Sequence, residues 1–286
     1  MKNIILFSVF SFFLFTINVI AQDSTATKPR YTAHNKGKFT IAFGGNRDYY
    51  TKSDITFEGD YYNFTIDNAV AHDKPKGWNI DYITPGHMTT PQINFKLGYF
   101  FNDHYSISLG EDHMKYVMTQ NQTANVTGYI DFPKSSPSAA FNGVYDNTPT
   151  VMTEDFLMFE HTDGLNYVYA EIARQDDISH IFGIKNTDKL QININEGFGI
   201  GALYPKTNTT LMGQERHDDF NIAGFGTSLK AGLNFTIFKY FTIEGDLKGG
   251  YINMPNIRTT QSSSDSAHQD FFFLETIVSF GGIFRL

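Results

Sequence analysis

Apolar and polar residues alternate with a period of two along much of this chain. Leu229, Leu233 and Phe235, for example, alternate with Lys230 and Asn234. Successive side chains of a β-strand point to opposite sides, so this period indicates strands with one apolar and one polar face. The pattern predicts eight strands, at residues 38–46, 91–101, 104–118, 164–175, 189–204, 219–237, 240–253 and 270–286.

The polar faces of these strands carry charged residues in the middle of otherwise apolar segments. The charged set is Lys230, Glu244, Asp246, Lys248, Glu275 and Arg285. A transmembrane barrel reverses the polarity of a soluble protein, with apolar side chains facing lipid and polar side chains facing the interior. We therefore predict an all-β fold in which about eight antiparallel strands close into a transmembrane barrel.

The same six residues balance at three positive and three negative charges. We predict that they form a salt-bridge network in the barrel lumen, because a buried charge without a partner is costly. The interior of an eight-stranded barrel is just wide enough for side chains to fill it. The alternative for this set is a ring of charges that lines a narrow channel.

Short and long connections alternate between the predicted strands. Residues 101–104 and 238–240 form very short turns. The long polar connections lie at residues 46–90, 119–163, 205–218 and 254–269. Outer-membrane barrels have short periplasmic turns, long extracellular loops and an even number of strands. Ten strands is the alternative, in which residues 53–67, here placed in a strand above the membrane, and residues 76–90 would also span.

The first segment has the pattern of a secretory signal peptide. Lys2 precedes an apolar stretch at residues 4–20, and Ala21 completes a small-residue cleavage pattern. We predict cleavage before Gln22; the alternative is a retained transmembrane anchor, because the stretch is nearly long enough to span a bilayer. The predicted organisation is a signal peptide at residues 1–21, a flexible lead-in at residues 22–36 and an outer-membrane β-barrel at residues 37–286.

Together, the signal peptide, the alternation of short and long connections and the apolar terminal strand resemble small Gram-negative outer-membrane β-barrels of the OmpA/OmpX type. The terminal strand alternates through Val278, Phe280 and Phe284 to the last residue. Members of that class usually end in Phe or Trp, whereas this chain ends in Leu286. The resemblance implies an outer-membrane location with outer-membrane lipid as the surrounding partner.

Composition narrows the classes of function. The 286 residues include 28 Phe and 16 Tyr but no Cys, so disulfides contribute nothing to stability. The net charge of −8 disfavours nucleic acid, which selects basic surfaces. A soluble secreted β-sandwich is the remaining alternative fold. The sequence has no nucleotide-binding or metal-binding motif, so we predict neither a cofactor nor a metal.

Two polar blocks at the outer ends of neighbouring predicted strands contain the candidate catalytic residues. Asp112 and His113 lie in one block, and His161 and Asp163 lie in the other. A histidine beside a carboxylate can act as a general acid–base pair or bind a divalent metal. Strand parity places Asp112 in the lumen but His113, Glu111 and Lys115 on the outer surface. The simpler interpretation is a solvated polar rim with a turn or bulge at Asp163-Gly164.

One charged residue breaks the apolar face of its strand. Glu196 is in phase with Ile194 and Phe198, on the face predicted to contact lipid at mid-depth. We predict a bulge near Gly197 that changes the phase of the strand. The alternative is catalysis, because lipid A deacylases act on lipid from the outer wall of a barrel with a His, a Ser and an acid. No Ser lies beside either histidine block.

We carry two hypotheses for the function. The first is a non-enzymatic surface protein with a filled lumen, which has a structural role or binds an extracellular ligand or protein through loops 46–90 and 119–163. The second is a lipid-modifying enzyme, a hydrolase or acyltransferase acting on lipid A or phospholipid, which uses the residues of the rim. A narrow channel is a third and less favoured hypothesis.

Overall fold

The computed structural model describes residues 34–75 and 91–286, which fold mostly into β-strands. The strands are β1 (Phe39–Tyr50), β2 (Ser53–Gly59), β3 (Tyr62–Ala69), β4 (Ala71–His72), β5 (Ile93–Phe100), β6 (Tyr105–Met118), β7 (Thr123–Ile130), β8 (Gly143–Val151), β9 (Leu157–Asp177), β10 (Leu190–Leu203), β11 (Asn208–Leu211), β12 (Gly224–Ile237), β13 (Phe241–Arg258) and β14 (Ser266–Phe284). Short 3₁₀ helices occur at Pro137–Phe141 and Ser179–Phe182. The described residues include no helix long and apolar enough to cross a membrane. The predicted signal peptide, most of the lead-in and residues 76–90 lie outside them.

Eight of the strands close into a ring. Their order is β1-β5-β6-β9-β10-β12-β13-β14, and β14 pairs again with β1. All of these pairings are antiparallel, and the closing pair runs from Phe39 opposite Phe284 to Tyr50 opposite Phe273. The predicted eight-stranded antiparallel barrel is confirmed. Residues 53–69 form the hairpin β2–β3 outside the ring, so these residues add no strand to it.

The exterior of the ring is apolar and its interior is charged. On β12, for example, Leu229 and Leu233 are exposed, whereas Lys230 and Asn234 are buried. The other exposed apolar side chains of the ring include Ile41, Phe43, Leu97, Ile107, Leu109, Ile172, Ile194, Phe198, Ile200, Leu247, Val278 and Phe280. This polarity, on a closed antiparallel ring, is that of an outer-membrane β-barrel.

The connections at one end of the ring are short, and we call this the short-turn end. The β12–β13 turn has only three residues, and Phe238 and Lys239 adopt φ of 52° and 72°. These left-handed conformations fit the tight reversal that a short hairpin needs. The 3₁₀ helix Ser179–Phe182 lies in the longer β9–β10 connection at the same end.

At the opposite end, the sheet continues beyond the ring into a structure that we call the head. The head comprises β2, β3, β4, β7, β8 and β11 together with the adjoining ends of the ring strands. β2 continues β1 along the edge of β14, and β3, β7 and β8 follow in order. β4 pairs with β6, and β11 pairs with β9.

The head has an apolar core that lies on the same side of the strands as the lumen. Fully buried members include Ile55, Phe57, Phe64, Ile66, Met114, Tyr116, Met118, Phe159, Leu165, Tyr167, Leu203, Ile252, Met254 and Ile257. Ring strands therefore run past the apolar band and pack like a soluble sheet. This explains why β9 begins at Leu157 rather than at the predicted residue 164.

Candidate functional site

Three lysines organise the charged interior of the ring. Lys96 Nζ lies 2.8 Å from Glu244 Oε2, and Lys230 Nζ lies 2.7 Å from Glu171 Oε1. Lys248 forms an ion pair with Asp112 and lies 3.9 Å from Glu275 Oε2. Lys96 and Lys248 join β13 to β5 and β6 across the ring, whereas Lys230 joins β12 to β9, the two strands that flank β10.

Neutral side chains complete the contacts of the carboxylates. Asn94 Nδ2 donates to Asp112 Oδ1 at 2.6 Å and to Glu275 Oε1 at 2.7 Å. Asn195 Nδ2 donates to Asp246 Oδ1 at 3.0 Å. Lys248 Nζ also lies 4.2 Å from the centre of the Tyr169 ring, a cation–π distance. These contacts replace part of the hydration that the charged groups lose when they are buried.

Arg285 does not belong to this cluster. Its side chain is exposed at the short-turn end, where Nη2 donates to the carbonyl oxygens of His34 and Lys36. Parity alone gave Arg285 an inward position, but β14 ends at Phe284, so the side chain leaves the lumen with the strand. The prediction for Arg285 is corrected accordingly, and Lys96, with a side chain 16% exposed, supplies the third cation of the lumen.

The predicted balance of charge also changes. The three lysines face six buried carboxylates, which are Asp48, Asp112, Glu171, Glu244, Asp246 and Glu275. Asp48 accepts from Gln92 Nε2 at 3.0 Å, but its other oxygen has no hydrogen-bond partner. Glu275 Oε2 likewise has no hydrogen-bond partner. The described lumen is therefore acid-rich rather than neutral.

Side chains fill the interior of the ring. Two cavities there, of about 20 Å³ each, have room for about one water molecule. At Gly110 a Cβ atom would lie 2.5 Å from the Tyr169 ring, so even a methyl group would collide there. Towards the head, Tyr116 stacks on Phe271 with ring centres 5.1 Å apart and continues the packed core.

The structure separates the residues that were candidates for catalysis. Asp112 is fully buried in the lumen, as parity predicted, and its carboxylate is engaged by Lys248 and Asn94. Asp163 is exposed outside, with Oδ2 3.6 Å from Lys206 Nζ. Neither carboxylate forms a described hydrogen bond with a rim histidine.

His113 and Lys115 are buried, yet they keep the outward parity predicted for them. Their inward neighbours Asp112, Met114 and Tyr116 belong to the lumen and to the core of the head, and His113 stays in register opposite Asn166. The register between β6 and β9 shifts only beyond Met114. Met114 pairs with Leu165 and Tyr116 pairs with His161, so β9 contains two extra residues at this point. His113 Nδ1 lies 2.7 Å from Asn166 Oδ1, an amide oxygen that cannot serve as a catalytic acid. Burial lowers the pKa of His113.

His161 belongs to the core of the head. Its side chain is fully buried between Phe159 and Tyr116, with ring centres 4.9 and 5.5 Å away. Nδ1 lies 2.9 Å from Thr207 Oγ1. Burial lowers the pKa of His161 to about 3, so the imidazole is neutral at physiological pH. A neutral ring enclosed by aromatic side chains has no access to a substrate.

The register shift explains the position of Asp163. The extra residues of β9 lie between His161 and Leu165, where Gly164 adopts a φ of 132°. The chain bulges outward there and returns inward at Leu165, which is fully buried. Asp163 and Gly164 therefore form the irregular part of the strand.

Glu196 lies on the exterior of the ring. Its pairing with Arg174 is continuous with the pairs on both sides, so the predicted bulge near Gly197 is wrong. The outward neighbours Ile194 and Phe198 are each 47% exposed, whereas Ile192 on the same face is only 8% exposed. The backbone of Ile192 bonds to the β9–β10 connection. Glu196 thus lies in the half of β10 that adjoins the short-turn end, two outward positions from the covered Ile192.

Several lumen residues were missed by the analysis of the sequence. Lys96, Asn94 and Glu171 are not in the lumen set that the sequence predicts, although all three lie in predicted strands. Their positions could have been found by applying the parity of β12 and β13 to every strand of the ring. Among the described residues, no group of three His, Cys, Asp or Glu is arranged to hold a metal ion.

Solved structures with a similar fold are outer-membrane proteins. Ail of Yersinia pestis is 14% identical, with a TM-score of 0.30 over 87% of this chain and 99% of that one. OprG from Pseudomonas aeruginosa is 10% identical, with a TM-score of 0.36 over 89% and 99%. AlkL is 10% identical, with a TM-score of 0.35 over 93% and 98%. No protein-family model and no curated protein matches the chain.

Proposed function

We propose that this protein is an integral outer-membrane barrel with a filled lumen that presents its head outside the cell, where it has a structural or ligand-binding role. One observation carries the proposal: the ring is apolar outside and charged inside, whereas the head is apolar inside. A membrane that surrounds the ring but not the head accounts for both arrangements.

Contact of the ring with lipid is supported by the free energy that its apolar exterior would cost in water. The exposed apolar side chains cover the whole circumference, since every ring strand contributes at least one of them. A continuous apolar band of this extent is not tolerated by a soluble monomer. In hydrocarbon, the closed ring also satisfies its backbone hydrogen bonds, because it has no free edge.

The short-turn end faces the periplasm in this proposal. Phe238 and Tyr240 are exposed in the β12–β13 turn, as expected for aromatic residues at the interface between membrane and water. The head then lies on the extracellular side, together with the long connections at residues 46–90 and 119–163. A ligand or protein partner would bind there, on connections held by a rigid scaffold.

The lumen gives no support to a diffusion channel. The ion pairs of Lys96 and Lys248 cross the described interior, Lys230 adds a further pair along one wall, and the core of the head lies above them. The structure likewise gives no support to the lipid-modifying enzyme. His161 is enclosed in the core of the head, and Glu196 lies on the exterior of the ring, apart from both rim histidines.

Membrane fractionation of cells that express the full chain tests the proposal. We expect the protein in detergent-extracted outer membranes, with a folded form that migrates differently from the boiled form on a gel. Protease added to intact cells should cut the long connections and leave the ring strands. A folded, monodisperse protein in buffer without any amphiphile would rule the proposal out.

A further inference from the structure

The exterior of the ring carries one polar row on its lipid-facing surface near the short-turn end. Tyr105, Arg174 and Glu196 are neighbours across β6, β9 and β10, on the outward face. Directly opposed residues of an antiparallel pair have Cβ atoms about 5 Å apart, so the three side chains adjoin one another. Charged residues on the lipid-facing surface destabilise a barrel unless they contact polar groups of the lipid.

The ends of this row are linked to the short-turn connections. Arg174 Nε lies 2.6 Å from Asp176 Oδ2, and His104 Nδ1 lies 2.8 Å from Asp176 Oδ1. The guanidinium carbon of Arg174 lies 5.9 Å from the centre of the Tyr105 ring. A guanidinium has five donor hydrogens, and the contact of Asp176 with Nε is an ion pair without an aligned hydrogen bond. The row therefore offers donors at Arg174 beside a carboxylate at Glu196.

The depth of the row fits the headgroup region of the membrane. Ile192, which lies closer to the short-turn end on the same face of β10, is covered by the β9–β10 connection. Ile194 is the one outward residue between this covered position and Glu196. On the other side of the row, Ile107, Ile172 and Phe198 are exposed and begin the apolar band. The exposed pair Ile194 and Leu233 still lies on the short-turn side of Glu196, so the row lies near the lower edge of the band and not beyond it.

We propose that this row binds the headgroup of a phosphatidylethanolamine molecule in the periplasmic leaflet. Arg174 contacts the phosphodiester, and the Glu196 carboxylate accepts hydrogen bonds from the primary ammonium. The pattern of charge favours a zwitterion, because one guanidinium lies between the carboxylates of Asp176 and Glu196. A purely anionic headgroup would meet more negative than positive charge here. This inference rests on the proposed membrane location.

The test is a lipid competition with the full-length barrel. The protein is folded into vesicles that contain equal amounts of phosphatidylethanolamine, phosphatidylcholine and phosphatidylglycerol with the same acyl chains. The lipids that remain bound are then counted by native mass spectrometry. We expect phosphatidylethanolamine to exceed phosphatidylcholine by about two- to fivefold, the range for an exposed charge contact. Phosphatidylcholine is the discriminating competitor, because its trimethylammonium group cannot donate a hydrogen bond.

Matched variants localise the effect. Glu196→Gln should remove the preference for phosphatidylethanolamine, and Glu196→Asp should retain part of it. Glu111→Gln removes the same charge from the outward face of β6 nearer the head and should leave the preference intact. Each variant is first checked for a heat-modifiable folded band.

Three results would overturn the inference: equal retention of phosphatidylethanolamine and phosphatidylcholine, a preference for phosphatidylglycerol, or an unchanged preference in Glu196→Gln. Each of them leaves the barrel in the membrane and the proposed function intact. Failure of the parent protein to insert into any vesicle would instead contradict the proposed function itself.

Discussion

The ring and the head both bury side chains on the inner side of the sheet, but the buried side chains are charged in the ring and apolar in the head. Strand β14 takes part in both regions. Its inward residues Phe271 and Phe273 belong to the apolar core of the head, whereas Glu275, the next inward residue, pairs with Lys248 in the lumen. Outward, Asp270 gives way to Phe272 and Leu274. The backbone and the parity are continuous throughout, so the surroundings of the strand, rather than its conformation, decide which residues are stable on each face.

This comparison teaches that burial stabilises the two regions through different forces. The head gains free energy by removing apolar surface from water, as soluble domains do. The buried charges of the ring gain nothing from that effect and depend on one another for compensation. The loss of one residue should therefore have different consequences in the two regions.

The largest expected effect is the loss of a lumen cation. Lys248→Met leaves Asp112 and Glu275 without their counter-ion in a buried site, which should destabilise the barrel by about 3–5 kcal/mol. Unfolding of the barrel by urea in lipid vesicles measures this change. Lys239→Met is the matched control: Lys239 pairs with Asp188 on the surface at 2.9 Å, and the loss of such a pair costs at most about 1 kcal/mol. Equal stability of the two variants would mean that the lumen charges do not hold the ring.

In the head, the comparable change is the loss of an aromatic side chain. Phe64→Ala should cost about 3–5 kcal/mol, because Phe64 is fully buried and stacks on Phe57 with ring centres 5.3 Å apart. Hydrogen exchange should then show lost protection in β2, β3 and β7, while β10, β12 and β13 remain protected. Loss of protection in the ring at the same denaturant concentration would show that the two regions unfold as one unit.

A charge added to the outer surface distinguishes the lipid-facing ring from the water-facing head most directly. Leu229→Arg places a cation on the lipid-facing side of the ring and should cost about 2–4 kcal/mol if the position lies at mid-depth. Thr127→Arg makes a similar change on the exposed outer face of β7 in the head and should stay within about 0.5 kcal/mol. Folding yields in vesicles and urea midpoints compare the two variants. If both are tolerated equally, the exterior of the ring does not contact hydrocarbon.

The sequence predicts the ring more successfully than it predicts the site. All eight ring strands could be found because each contains a stretch in which apolar and polar or small residues alternate, and the interior position of Lys230 and Lys248 follows from the same parity. Parity fails only locally, at Asp163, where β9 takes two extra residues. For His113 it gives the correct side of β6 but not the burial of the side chain. The core of the head depends on contacts between distant strands, such as Phe57 with Phe159, which a local pattern does not encode.

The smallest expected effect is a pH dependence of the head that originates at a buried histidine, His161, whereas the titratable groups that dominate the ring are carboxylates. Burial lowers the pKa of His161 from 6.5 in the unfolded chain to about 3 in the folded head. Between these values the unfolded state binds the extra proton, so stability falls as the pH drops below 6.5. The slope approaches about 1.4 kcal/mol per pH unit, which gives a loss of about 2 kcal/mol at pH 5. Hydrogen exchange of head peptides, corrected for the intrinsic rate at each pH, measures this loss between pH 7 and pH 5.

His161→Phe keeps an aromatic ring in the core but cannot bind a proton, so its head should lose less stability over the same range. An identical pH dependence in His161→Phe would assign the effect to other groups, and one of the contrasts between head and ring would then disappear.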